Sequence, residues 1–164
     1  MTDFSAKMPI ARDKKIFHLT EVGTNNHLYV SCANIKCELY LIDNLNNSLN
    51  IEPPRCDYCL RSTEPPVEGV CTFIELKGSD IKHAVEQIEN TILQLQVKKT
   101  LKNFSLAKAV YISMSGKIPS LHSGLQILKQ KFFNKWNCEL KTVRSGTTVK
   151  ICFRCGTKGK TNPP

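Results

Sequence analysis

The stretch Val70-Cys71-Thr72-Phe73-Ile74-Glu75-Leu76-Lys77-Gly78-Ser79 constrains this chain more than any other. It starts as an apolar run of strand-forming residues and ends in a carboxylate, a lysine and a glycine. Side chains alternate between faces along a strand, so Phe73, Glu75 and Lys77 share one side while Thr72, Ile74 and Leu76 share the other. Acid and amine are therefore neighbours. An exposed pair of this kind contributes little to stability, and the bare acid-x-Lys pattern recurs at Asp13/Lys15, Asp80/Lys82 and Glu139/Lys141. Context separates the Glu75 copy from the others. An apolar strand leads into it, a glycine and a helix start follow, and another apolar segment with an acid, Arg55-Cys56-Asp57-Tyr58-Cys59-Leu60, lies upstream across a turn-rich link.

That upstream segment predicts a strand over Cys56 to Leu60, closed by Thr63-Glu64-Pro65-Pro66 and the turn at Glu68-Gly69. Paired with a second strand over Val70 to Lys77, it makes an antiparallel hairpin in which Asp57 faces Glu75 and Lys77 at a distance suited to sharing an ion. Ser79 or Asp80 then caps a helix whose apolar residues Ile81, Ala84, Val85, Ile88, Ile92 and Leu95 repeat at helical spacing. Gln87 borders this stripe, either reaching the charged end of the sheet or lying in water.

Elsewhere the chain alternates short strands with one further helix. Ile16 to Leu19 and His27 to Cys32 read as strands around the turn Gly23-Thr24-Asn25-Asn26. Ile35 to Leu49 fits a helix or a strand followed by a loop. The basic link Lys98-Lys99-Thr100-Leu101-Lys102 precedes a buried strand over Ala107 to Ser113. A helix follows from about Leu121 to Trp136, with Leu121, Leu125, Leu128, Phe132 and Trp136 inward and Lys129, Lys131 and Lys135 outward. Cys138 to Val143 and Thr148 to Phe153 suggest a last antiparallel pair across Ser145-Gly146. The expected organisation is a mobile arm over 1–15, one α/β (α+β) domain over 16–155 and a disordered tail over 156–164, since 164 residues suffice for one core.

With 23 basic and 14 acidic residues the chain carries a formal charge of +9. That balance points to an acidic partner, nucleic acid ahead of an anionic membrane. No continuous apolar segment near the N-terminus resembles a secretion signal and none is long enough for a membrane span, so a cytoplasmic protein is expected. In that setting the eight cysteines read as reduced, mostly buried thiols. Cys56-x-x-Cys59 with Cys152-x-x-Cys155 offers an alternative, a four-thiolate zinc site, which requires a knuckle turn at Cys56 to Cys59. The four histidines show no paired ligand spacing, and no phosphate-binding or dinucleotide glycine motif occurs.

An acid on one strand, Glu-x-Lys late in the next, then a helix and a further strand resembles the PD-(D/E)xK nuclease superfamily over about Cys56 to Ser113. The resemblance implies a restriction-endonuclease-like mixed central sheet flanked by helices. It implies Asp57 and Glu75 as metal-binding acids, Lys77 as the catalytic lysine, and Gln87 in the place where some members carry a functional glutamine. The Leu76 carbonyl would add an oxygen, and an extra acid is sought at Glu21 or Glu38, with Glu38 preferred. The implied activity is magnesium- or manganese-dependent phosphodiester hydrolysis, as a DNA endonuclease of resolvase-like or restriction/defence-like type, DNA being favoured over RNA. A homodimer or a separate targeting subunit is compatible with that activity. Lys98, Lys99, Lys102, Lys129, Lys131 and Lys135 would hold phosphates. The competing expectation is a non-catalytic nucleic-acid-binding or scaffold protein, with or without zinc on the cysteine pairs; as a cofactor, zinc ranks well behind magnesium.

Overall fold

The computed structural model describes residues 9–116, 123–151 and 153. Its strands and helices run β1 (Ala11–Arg12), β2 (Ile16–Thr20), β3 (His27–Ser31), β4 (Cys37–Leu41), β5 (Tyr58–Ser62), β6 (Val70–Lys77), α1 (Ile81–Lys98), β7 (Ser105–Leu106), β8 (Ala109–Met114), α2 (Ser123–Trp136), β9 (Glu139–Arg144) and β10 (Thr148–Lys150). The chain is thus mixed α/β. A larger sheet has the order β1-β4-β5-β6-β8-β9, with β7 beside the start of β6, and a smaller one has the order β10-β3-β2.

β6 organises the larger sheet. It pairs antiparallel with β5 and parallel with β8, and β8 pairs parallel with β9, so the sheet is mixed. The apolar residues of β6 split as strand alternation dictates. Cys71 and Phe73 join the core beneath both helices, with Ala84, Ile88, Ile92, Leu125 and Phe132. Ile74 and Leu76 join the core of the opposite face, against Phe17, Leu19, Leu28 and Val30 of the smaller sheet. Three layers result, and Phe73, Glu75 and Lys77 belong to the helix side.

α1 starts where its sequence requires. Asp80 is the N-cap, its carboxylate accepting from the His83 amide at 3.0 Å, which satisfies one of the four free amides of a first turn. The buried stripe is Ile81, Ala84, Val85, Ile88, Ile92 and Leu95, joined by Gln87 and Thr91. Lys99 ends the helix in the left-handed conformation with its amide on the Leu95 carbonyl, and 18 residues put its two ends about 27 Å apart.

Several expectations are corrected. The strand carrying Asp57 begins at Tyr58 rather than Cys56, so Asp57 sits just before the ladder. The open segment Ile35 to Leu49 resolves as a strand, β4, followed by a loop. Residues Ile10 to Asp13, expected to be part of a mobile arm, lie along β4, with the Ile10 amide on the Leu39 carbonyl at 2.8 Å and the Asp13 amide on the Cys37 carbonyl at 2.9 Å. The final antiparallel pair does not form. β9 extends the larger sheet while β10 runs parallel to β3 in the smaller one. Gly146, at φ 83, makes this crossing possible: its amide bonds to the His27 carbonyl at 2.8 Å while the Ser145 amide stays on Met114 at 2.9 Å. Two open strand edges, on β8 and β3, compete successfully with a local hairpin because each also buries an apolar face. Residues 1–8, Leu121 and the expected tail over 156–164 lie outside the described residues.

Candidate active site

The register of the β5–β6 hairpin pairs Tyr58 with Ile74 and Cys59 with Phe73. One step further along the same ladder, Asp57 stands opposite Glu75. The two acids then lock each other's backbones. Glu75 Oε2 accepts from the Asp57 amide at 3.0 Å, and Asp57 Oδ2 accepts from the Leu76 amide at 2.6 Å. One oxygen of each carboxylate stays outside these two bonds. Glu75 is buried, 2% exposed, whereas Asp57 is half-buried.

Burial is the main reason both acids hold their protons more tightly than usual. It pushes Glu75 up to about 9, aided by the nearby Asp57 charge and opposed by the Asp57 amide and by Lys77. Asp57 is raised by burial to about 6, with the Leu76 amide opposing and the charges of Asp43 and Glu21 adding to the rise. Carboxylates gathered this closely need either protons or a cation.

The donor set consists of hard oxygens. Backbone alternation adds one more, because N–H and C=O of a strand residue point to the same edge. The Lys77 carbonyl faces β8, where it accepts from the Ser115 amide at 3.3 Å and from Asn26 Nδ2 at 3.1 Å. The Leu76 carbonyl therefore lies on the β5 edge with Asp57. Asp57, Glu75 and this carbonyl can hold a hard divalent ion of the magnesium or manganese class, which favours oxygen ligands. Among the described residues, no group of three or more His, Cys, Asp or Glu side chains converges as a metal site, so two carboxylates are the side-chain complement.

Lys77 Nζ donates to Gln87 Oε1 at 3.4 Å, and Gln87 Nε2 donates to the Arg55 carbonyl at 2.9 Å. Gln87 is thus a buried bracket between α1, Lys77 and the segment entering β5, not a solvated surface residue. Thr91, one turn later, accepts from the Cys56 amide at 3.0 Å and donates to the Gln87 carbonyl at 2.8 Å. Residues from three elements are fixed around the acid pair.

Glu38 is not part of this group. On β4 it faces Arg61, and its carboxylate bonds Arg61 at 3.3 Å, Arg12 at 3.4 Å and the Tyr40 hydroxyl at 2.8 Å. Arg61 is four residues beyond Asp57, about 13 Å along a strand, so Glu38 serves an ion-pair cluster toward the other end of the hairpin. The acids that add negative potential at Asp57 are Asp43 and Glu21. Glu21 is brought near by Tyr58, whose hydroxyl donates to the Thr20 carbonyl at 2.7 Å. Asp43 was missed by sequence reading. Had Cys37 to Leu41 been recognised as a strand ending opposite Tyr58, its register would have carried Asp43 to the level of Asp57; its amide contacts the Asp57 carbonyl at 3.3 Å and its side chain pairs with Arg55 at 3.2 Å.

The lysines expected at phosphates are dispersed. Lys98, Lys99 and Lys102 lie at the C-terminal end of α1, a helix length from Lys77. Lys98 bonds the Asn50 carbonyl at 2.7 Å, Lys129 bonds Thr142 at 3.4 Å, and Lys135 pairs with Glu89 at 3.2 Å beside the Trp136 ring. Lys131 is exposed on α2.

Of the four cysteines of the zinc alternative, Cys56 and Cys59 are buried in the core under the helices. Burial raises both Cys56 and Cys59 well above the usual thiol range. Cys152 and Cys155 themselves lie outside the described residues. Among the described residues, no helix is long and apolar enough to cross a membrane. The chain matches no protein-family model, and no curated protein or solved structure matches it.

Proposed function

We propose that this chain is a metal-dependent nuclease that hydrolyses phosphodiester bonds, with DNA as the preferred substrate and a restriction-endonuclease-like fold. The observation that carries this reading is the interlocked pair Asp57 and Glu75, one acid from each arm of a hairpin, with Lys77 bracketed beside them by Gln87. A purely structural pair has no need of buried acids whose charge, among the described residues, is offset by Lys77 at the edge, because apolar residues of the same size would pack there at lower cost.

Within this reading each residue has a distinct task. A divalent cation, when bound, neutralises charge on the phosphate and makes water a better nucleophile. Asp57, Glu75 and the Leu76 carbonyl would hold the ion. Lys77 orients the attacking water and stabilises the negative charge that develops on the phosphate oxygens. Gln87 is a positioning residue that limits the rotamers of Lys77. Asp43 and Glu21 strengthen cation attraction without displacing the ligands.

The test is incubation of the full chain with plasmid, branched and single-stranded DNA and with RNA, in magnesium, manganese or chelator. Cleavage is expected only with the metal ions. Lys77→Ala should lower the rate by about 10²–10³-fold, the range for losing one acid–base or charge-stabilising group, while Asp57→Asn and Glu75→Gln should also weaken metal binding. Equal rates for wild type and Lys77→Ala, or activity that survives chelation, would overturn the assignment.

A further inference from the structure

The smaller sheet has two faces, and its inner one packs against the larger sheet. Phe17 and Leu19 of β2, Leu28 and Val30 of β3 and Val149 of β10 belong to the core between the sheets. Strand alternation turns Ile16, His18, Thr20, His27, Tyr29, Ser31, Thr148 and Lys150 to the outer face. Strand register sets them in rows. Ile16, Ser31 and Lys150 form one row, and His18, Tyr29 and Thr148 the next. His18 and Lys150 are exposed, while His27 and Tyr29 are half-buried.

Three rings meet on this face. His18 and Tyr29 stack with centroids 4.5 Å apart and planes 11° from parallel, and His27 stands nearly perpendicular to both at 5.6 and 5.7 Å. The stacking distance matches the spacing of about 4.8 Å between neighbouring strands, so the two rings stand upright side by side and their stack runs across the strands. Among the described residues β2 is the edge of its sheet, and the next place in the stack lies on the outer side of His18. His27 is oriented by its Nδ1, 2.9 Å from the Asn25 carbonyl. The setting is basic. β2, β3 and β10 contain no Asp or Glu, exposed Lys14 and Lys15 lead into β2, and Lys150 closes the Ile16 row. Glu21, in the turn after β2, accepts from the Thr24 hydroxyl at 2.9 Å and lies near Asp57. A cross-strand ring pair steadies a sheet, but an acid-free face with an open ring at its edge and cations at its margin also has the make-up of a surface that stacks bases and holds phosphates.

We propose that this outer face binds single-stranded nucleic acid, an unpaired base stacking on His18 as the third member of the His18–Tyr29 stack while Lys14, Lys15 and Lys150 meet flanking phosphates. Bases of a duplex have both faces covered by their neighbours, so a ring that stacks on a base selects unpaired strands. The surface is separate from the acid pair, because the smaller sheet covers the side of the larger sheet opposite Lys77 and the helices. The inference rests on the nucleic-acid part of the function proposed above and not on the cleavage chemistry.

The test is binding of the full chain, in chelator, to fluorescent oligothymidylate and oligouridylate of about 12 nucleotides, within the range of known single-strand surfaces, to a duplex of the same length and to an equally long strand of abasic sites. Both base-bearing single strands are expected to bind more tightly than the duplex, and at least about 5-fold more tightly than the abasic strand, which carries the same phosphates. His18→Leu, and Tyr29→Leu behind it, should weaken single-strand binding by about 5- to 150-fold, the range for one stacked base, whereas His18→Tyr and Tyr29→Phe keep a ring and should stay near wild type. Lys150→Gln should reduce the salt slope by about 0.7, one phosphate contact on a single strand. The wild-type comparison of base-bearing and abasic strands needs no variant, so it stands even where a substitution prevents folding. Equal affinity for those two strands, folded His18→Leu binding as tightly as wild type, or a dimer that His18→Leu dissociates while no strand binds, would each overturn the proposal. A chain that binds unpaired strands without cutting any nucleic acid sinks the nuclease reading alone; one that cuts duplex but discriminates neither bases nor rings sinks this one alone.

Discussion

At the scale of single residues, the decisive property is that Glu75 and Asp57 share a buried corner with too little positive charge. Both carboxyls are held above their ordinary values, Glu75 at about 9 and Asp57 at about 6, chiefly by burial. The folded chain therefore binds more protons than the unfolded one through the window between those values and the ordinary 3.8 and 4.5. Stability from this source is fully present below pH 4 to 5 and is lost as pH rises through about 6 and then about 9. The denaturation midpoint of chelated protein should therefore fall from pH 6 to 9, and Glu75→Gln should flatten that fall. At pH 9 the variant should be the more stable by roughly 1–3 kcal/mol, the scale on which burying an uncompensated polar group is felt. Magnesium should flatten the wild-type profile as well. A midpoint that rises over this window, with Glu75→Gln following it in parallel, would show that the acid pair is not strained by charge.

At the scale of elements, one buried side chain joins the two sheets beside the candidate site. Asn26, from the β2–β3 turn, is 1% exposed and donates to the Lys77 and Ser113 carbonyls, both at 3.1 Å, while accepting from the Ser113 hydroxyl at 2.9 Å. Asn26→Ala removes these partners together and should cost roughly 2–3 kcal/mol. Ser113→Ala alone should cost less, and a double-mutant cycle on urea midpoints should give a coupling of roughly 1 kcal/mol. Additive losses would mean that the two residues act separately. This contact explains what sequence patterns could and could not reveal. The hairpin, the Asp57/Glu75 juxtaposition and α1 follow from local signals: strand alternation, turn residues and the Asp80 cap. The membership of β2, β3 and β10 in a second sheet does not, since it depends on which open edge each short strand finds. Asn26 reads as an ordinary turn residue until that docking is known. The sequence prefers Glu38 over Glu21 and does not point to Asp43 for the same reason, because Glu21 and Asp43 come near Asp57 through Tyr58 and through the β4 register, both long-range. Gln87 lay on the margin of a clear helical stripe, and only tertiary packing decides that it is buried.

At the scale of the whole molecule, a charge of +9 surrounds an acidic corner, and the position of the positive groups matters more than their number. β6, β8 and β9 run in one direction, so the ends of all three meet near Glu75: Lys77 stands beside Met114, and Met114 beside Arg144. α1 begins at this same end, which places exposed Lys82 in its first turn, while Lys98 and Lys99 close the helix about 27 Å away. That span corresponds to about eight base pairs at 3.4 Å each, so under the proposed function neither lysine would reach a phosphate held at Asp57 and Glu75. Under the same proposal Arg144 and Lys82, at the β6–β8–β9 end, would be better placed to hold neighbouring phosphates, although the sequence alone points to neither. Nucleic-acid affinity of a chelated, cleavage-inactive Lys77→Ala chain should fall linearly with salt on a logarithmic scale. Arg144→Gln and Lys82→Gln should each weaken binding across sequences and reduce the slope by about 1, as expected when one phosphate contact is lost. Lys98→Gln and Lys99→Gln should leave the cleavage rate near wild type and alter affinity only on duplexes longer than about eight base pairs. If the Lys98 and Lys99 variants instead abolish cleavage while the Arg144 and Lys82 variants do nothing, the scissile phosphate is not at the β6–β8–β9 end, and Asp57 and Glu75 are not where the chemistry occurs.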